Sequence, residues 1–187
     1  MAVHRYQDLI KLFDSTFYQT YNTRLIKGDE EPIYIPANQT CDYNQIVFAH
    51  GYFASGLHEI AHWCVAGKQR RQLEDYGYWY LPDGRDNQQQ ADFEKVEIRP
   101  QAYEWILSEA AQFNYRVSCD NLNGSAEPDR HAFRQKIRNE VAIILEQGLP
   151  PRVAALVDSL AKFYNTQLPL KIEQFAKQES TMNSKAA

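Results

Sequence analysis

The residues best equipped for chemistry lie in "GLHEIAHWC", residues 56 to 64, where His58, Glu59 and His62 stand in HExxH spacing. On an α-helix His58 and His62 project about 40° apart from one face, so both imidazoles can reach the same metal ion. Glu59 points roughly 60° from His62, close enough to orient or deprotonate a water on that ion, as in HExxH proteases. Two histidines four apart can also be a surface pair or a satisfied half-buried pair. Here they are two of only five histidines in the chain and lie between Leu57 and Trp63, where unpaired imidazoles would be costly. A metal site is therefore the stronger reading. His4, His50 and His131 are weaker candidates, and His50, just ahead of the motif, reads as a structural or ligand-supporting residue.

Two histidines need a third protein ligand. The extended HExxHxxGxxH pattern fails, since Lys68 stands where its third histidine would be. A carboxylate must complete the set. Glu74 and Asp75 follow a basic, exposed-looking segment and read as solvated charge. In "FEKVEIRPQAYEW", Glu94 and Glu97 are one turn apart ahead of Pro100, on a segment able to pack against the motif helix. The preference runs Glu97, then Glu94, then Glu104. Two histidines and a carboxylate bind zinc in hydrolases and Fe(II) in oxygen-using enzymes, so the ligands alone do not choose between hydrolysis and oxidation. The zinc alternative is a gluzincin-type metallopeptidase in which Glu59 is the general base.

These residues need a scaffold. Leu9, Ile10, Phe13, Phe17 and Tyr21 recur at helical spacing, predicting a helix over residues 4–21. "KGDEEP" ends that pattern, and "IYIPA" and "QIVFA" read as short strands. From Gly51, a stripe of Phe53, Leu57, Ile60, Ala61 and Cys64 places the motif on a helix with Gly67 at its C-cap. "DYGYWYLPDGRDN" reads as an aromatic strand and turn, "QQQADFEKVE" as a helix, and Pro100 as the start of another. Phe133, Ile137, Val141, Ile144 and Leu145 mark a further helix, stopped by "GLPP". Val153, Leu156, Val157, Leu160 and Phe163 mark the last. The expectation is an α+β fold: a mostly helical single domain over residues 1–175 with a small sheet, compatible with a zincin-like arrangement, and a disordered tail at 176–187.

Composition narrows the function. With 187 residues the chain can bury a real core, and a net charge of −4 with pI near 5.7 argues against direct nucleic-acid binding. No segment reads as a secretory signal or membrane span. Three cysteines without CxxC spacing suggest free thiols in a reducing compartment, so the expected location is cytoplasmic. Lys68, Arg70 and Arg71 form a basic cluster that reads as a solvated face or, alternatively, a docking patch for an acidic partner.

The chain also carries long, idiosyncratic strings: "YNTRLIKGDEEPIYIPA", "IVFAHGYFASGLHEIAHWCVAGKQRR", "DYGYWYLPDGRDNQQQADFEKVEIRPQA", "VSCDNLNGSAEPDR" and "GLPPR". Together they resemble the bacterial elongation factor P hydroxylase family over most of the chain, far more specifically than five motif residues can. The resemblance implies an oxygen-dependent hydroxylase acting on the β-lysyl-modified lysine of elongation factor P, its protein partner. It makes His58 and His62 ligands of a divalent metal, Fe(II), in a 2-His-1-carboxylate site. Glu97 as third ligand stays a physical inference. In this reading Glu59 gives up the protease role and orients His58 or a bound water. The substrate would be a long cation, for which Tyr76, Tyr78, Trp79 and Tyr80 are possible walls, although aromatics alternating along a strand are more often core. No 2-oxoglutarate signature is visible.

Overall fold

The computed structural model describes residues 3–76, 83–119, 121 and 123–176. Helix α1 (Tyr6–Tyr21) buries Leu9, Phe13 and Phe17 on the predicted stripe. Asn22 ends it in the left-handed conformation, φ 47°, a region asparagine tolerates better than most residues. The chain thereby reverses directly into strand β1 (Thr23–Lys27). Strands β2 (Ile33–Ile35) and β3 (Asn44–Phe48) match the two expected segments. β1 was not foreseen, because its five residues follow the helix with no turn signal between them.

The sheet order is β1-β3-β2, with β1 parallel and β2 antiparallel to the central β3. Leu25 and Tyr34 both register with Ile46. A turn with positive φ at His50 (55°) and Gly51 (71°) then launches α2 (Phe53–Val65), which carries His58, Glu59 and His62. Phe53, Leu57, Ile60, Ala61 and Cys64 are buried as the periodicity predicts. Gly56 lets α1 and α2 approach closely: a Cβ there would lie 2.8 Å from Leu9 Cδ2.

Helix α3 (Asn87–Ala110) corrects the expectation of two helices divided at Pro100. It is one helix of 24 residues with the proline inside it. A capping box starts it, in which the Asp86 side chain accepts from Gln89 N–H and the Gln89 side chain accepts from Asp86 N–H. Beyond Pro100 nearly every residue to Ala110 is buried, packed against α2, α4 (Arg130–Gln147) and α5 (Pro151–Tyr164). That burial outweighs the one backbone hydrogen bond the proline removes.

Three smaller readings also change. The α2 C-cap is Ala66 rather than Gly67. On α5 the buried residue after Leu160 and Ala161 is Tyr164, while Phe163 is 52% exposed. His50 is exposed, with its ring beside Tyr52 and not among the ligand candidates. The anticipated aromatic strand falls largely on residues 77–82, outside the described residues. Of its neighbours, Asp75 bridges to Tyr34 and Tyr76 is exposed. The anticipated tail lies outside them from residue 177 onward. The mostly helical α+β domain with a small sheet is the architecture observed.

Candidate metal centre

α2 packs along α3, and the facing positions carry the ionisable groups. His58 and His62 bring their Nε2 atoms to 3.1 Å from each other. Glu97, only 1% exposed, comes from α3 and places Oε1 3.2 Å from His62 Nε2 and Oε2 3.9 Å from His58 Nε2. One potential ligand atom from each of His58, His62 and Glu97 lies within 4.8 Å of the other two. Two nitrogens bound at about 2.1 Å and roughly at right angles would be about 3 Å apart, so the spacing fits one ion. The donor set, two imidazoles and a buried carboxylate, is also one that a divalent metal accepts.

Neighbouring groups orient these three. Glu104 Oε2 lies 2.8 Å from His58 Nδ1. A proton on Nδ1 is thus held by a carboxylate, leaving Nε2 to face His62 and Glu97. Gln101, fully buried, donates from Nε2 to Glu97 Oε2 (3.2 Å) and to the Ser118 carbonyl (2.7 Å). Its Oε1 accepts from the Tyr115 hydroxyl (2.9 Å) and from Ser118 N–H (3.0 Å). The amide thus has every direction occupied and passes its orientation to the carboxylate. Glu97, Gln101 and Glu104 form an i, i+4, i+7 row, which exists because α3 continues through Pro100.

The electrostatics follow the geometry. Burial alone would lower the pKa of His58, but the Glu104 charge and hydrogen bond, with help from Glu97, reverse this and raise it to about 10. In the metal-free protein a proton on Nε2 can therefore stand where a cation would, bridging to His62. Burial raises the pKa of Glu59 despite the opposing charges of His58 and His62. Glu59 and His62 both line a cleft bounded by the sheet and the 70–75 segment.

Of the sequence candidates, His58, His62 and Glu97 are brought together. Glu94 is not: it lies toward α4, 2.8 Å from Lys136 Nζ. Glu104 joins the site as the partner of His58 Nδ1, one of the two roles, orienting His58 or a bound water, expected of Glu59. Gln101 and Tyr115 were missed; the row read through the proline could have found Gln101, while Tyr115 lies beyond the end of α3 and reaches the site only through Gln101. The basic cluster is partly engaged within the fold. Arg70 pairs with Asp75, and Arg71 donates to the Ala66 carbonyl (2.6 Å). Arg152 adds hydrogen bonds to the Trp63, Cys64 and Ala66 carbonyls, closing the C-terminal end of α2.

Fold and site thus define a small helical protein with a buried candidate centre of two histidines and a carboxylate. A family model described as elongation factor P hydroxylase matches residues 12–175. The chain is also 52% identical over 172 residues to the elongation factor P lysine hydroxylase of Haemophilus influenzae, covering 92% of this chain and 96% of that protein. It belongs to the elongation factor P hydroxylase family. The match is to a hydroxylase, so the peptidase alternative drawn from the five-residue motif gains no support.

Proposed function

We propose that this protein is an oxygen-dependent hydroxylase of the β-lysyl-modified lysine of elongation factor P, with His58, His62 and Glu97 holding its metal. The observation that carries the reading is the convergence of those three side chains within a chain of this family. An Fe(II) ion bound there would supply open coordination positions and the redox chemistry by which dioxygen hydroxylates an unactivated carbon.

The chain's own residues prepare that centre. Glu104 holds the His58 proton at Nδ1, so that Nε2 is the ligating atom. Gln101 fixes the plane of the Glu97 carboxylate, and Tyr115 and Ser118 fix Gln101. Burial of Glu97 keeps bulk water from the carboxylate and strengthens its attraction for a cation. Glu59 is the acidic group on the cleft side and makes contact with what enters. The location we infer is cytoplasmic, where the three unpaired thiols would stay reduced. No described helix is long and apolar enough to cross a membrane. The domain is inferred to span residues 1–175.

The test is hydroxylation by the purified protein, loaded with Fe(II), of β-lysylated elongation factor P under isotope-labelled dioxygen. The label should appear in the modified lysine peptide. A hydroxyl carrying oxygen from water, or no product with any electron donor, would overturn the oxygen-dependent reading.

A further inference from the structure

The segment that follows α2, residues 66–76, is tied down along most of its length. Arg71 donates to the Ala66 carbonyl (2.6 Å), Leu73 N–H to the Arg70 carbonyl (3.1 Å), and the Tyr34 hydroxyl to the Arg71 carbonyl (2.9 Å). Asp75 and Tyr34 exchange backbone hydrogen bonds in both directions, and Arg70 pairs with Asp75. Despite these ties Leu73 is 65% exposed and Tyr76 51%, and Val65 at the end of α2 is exposed as well. A single exposed apolar residue needs no explanation, but a run of them on a pinned segment is presented rather than merely loose.

The same segment concentrates cations. Arg71 and Arg152 both donate to the Ala66 carbonyl, at 2.6 and 2.8 Å, and both lie over the Trp63 ring, 5.9 and 4.7 Å from its centroid. A helix C-terminus offers only about half a negative charge, so two guanidiniums exceed what closing α2 needs. Burial and then the Arg71 charge lower the Arg152 pKa, as expected of like charges held close. Among the described residues neither arginine has a carboxylate partner, and nor has the exposed Lys68. With Asp75 taken by Arg70, Glu74 is the one other acid in the segment, so an excess of positive charge stands on a chain whose net charge is −4. Ala66, Arg70, Arg71 and Asp75 also line the cleft that Glu59 and His62 share, so the segment borders the candidate centre.

A folded protein that brings a side chain to that centre must rest on the surface around it, commonly about 800 Å² on each partner. Tyrosine and arginine with apolar neighbours are the residues that interfaces favour, and unpaired cations at their edge steer an acidic partner into register. We infer that residues 65–76, together with Arg152, form the surface on which the protein substrate docks, and that this surface fits a face carrying carboxylates around an apolar spot. The inference deepens the proposed function, on which it rests for the identity of that protein, and concerns contacts remote from the modified side chain.

The probe is elongation factor P without its lysine modification, titrated calorimetrically into the zinc-loaded full chain so that docking alone is read. Binding should weaken as salt is added. Lys68→Glu and Leu73→Asp should each weaken it at least about tenfold, while Lys171→Glu, a charge change beside the Ile172–Ala176 segment that packs on α3 and α4, leaves it within about twofold. All three side chains are exposed, so melting temperature and zinc affinity should match the wild type and show that the variants fold. Undiminished binding by both patch variants, no binding by the wild type, a patch that instead joins two copies of this chain, or a preference for an RNA oligonucleotide over elongation factor P would each overturn the inference. The proposed function fails separately, if docking behaves as predicted and the modified elongation factor P gains no oxygen.

Discussion

At the residue scale the proposed metal centre depends on side chains that would touch no ion themselves. Replacing Glu104 by Gln removes the carboxylate that holds His58 Nδ1, and Gln101→Leu removes the amide that steadies Glu97. Each should weaken metal binding by roughly 10–100-fold, the usual loss for residues that orient metal ligands. A metal titration with circular dichroism as a fold control checks this, and unchanged affinity in both would remove their orienting role. His58 also predicts a pH effect in the chelator-treated protein. Its folded pKa of about 10 lies above the ordinary value of 6.5, so its stabilising contribution is complete below about pH 6.5 and is lost as pH rises toward 10. Melting temperature against pH should show that decline, and Glu104→Gln should flatten it. The thiols give an independent check. Cys64 is buried, which raises its pKa to about 12, and burial raises that of Cys119 too. Iodoacetamide on the native protein should therefore label the half-exposed Cys41 well ahead of both. Among these residues the convergence of the two histidines was legible from their spacing, and that of Glu97 from its place just ahead of Pro100 on a segment able to pack against the motif helix. Glu104 stood third among the ligand candidates, and sequence spacing could not show that its carboxylate meets His58 Nδ1.

At the element scale the decisive feature is the unbroken α3. A proline usually marks a helix start, and that rule hid the row of Glu97, Gln101 and Glu104 on one face. Tertiary packing against three other helices overrode the local signal, and periodicity within a single segment carries no information about such packing. The same limit explains β1, whose pairing with β3 is made by residues about twenty positions away. Helices α1, α2, α4 and α5 were legible because each buries a continuous apolar stripe. The C-terminal end of α2 is held by Arg152, which reaches it from the first turn of α5. Arg152→Ala strips the Trp63 and Ala66 carbonyls of a charged donor and should cost about 1.5–3 kcal/mol of stability. Urea unfolding measures that loss, and an unchanged midpoint would show that Arg71 and solvent suffice.

At the scale of the whole molecule, α1 and the sheet support α2 from one side while α3 and α5 support it from others, so the HExxH helix is held at the centre of the fold. The two helices that carry the candidate ligands come from segments separated by the 66–86 connection, and bridging them with an ion should stabilise the whole domain. At a free metal concentration about 100 times Kd the gain is about 2.7 kcal/mol, visible as a fall in melting temperature when a chelator is added and absent in Glu97→Ala. The family match over residues 12–175 covers both helices and the cleft between α2 and the sheet. The most direct test of the central claim is mass spectrometry of the modified lysine peptide of elongation factor P from cells lacking this protein, complemented with the wild type, His58→Ala or Glu97→Ala. The account predicts that the peptide lacks the mass of one oxygen atom in the deletion and in both variants, and regains it with the wild type; an oxygen retained in the deletion strain, or restored fully by the two variants, would contradict it.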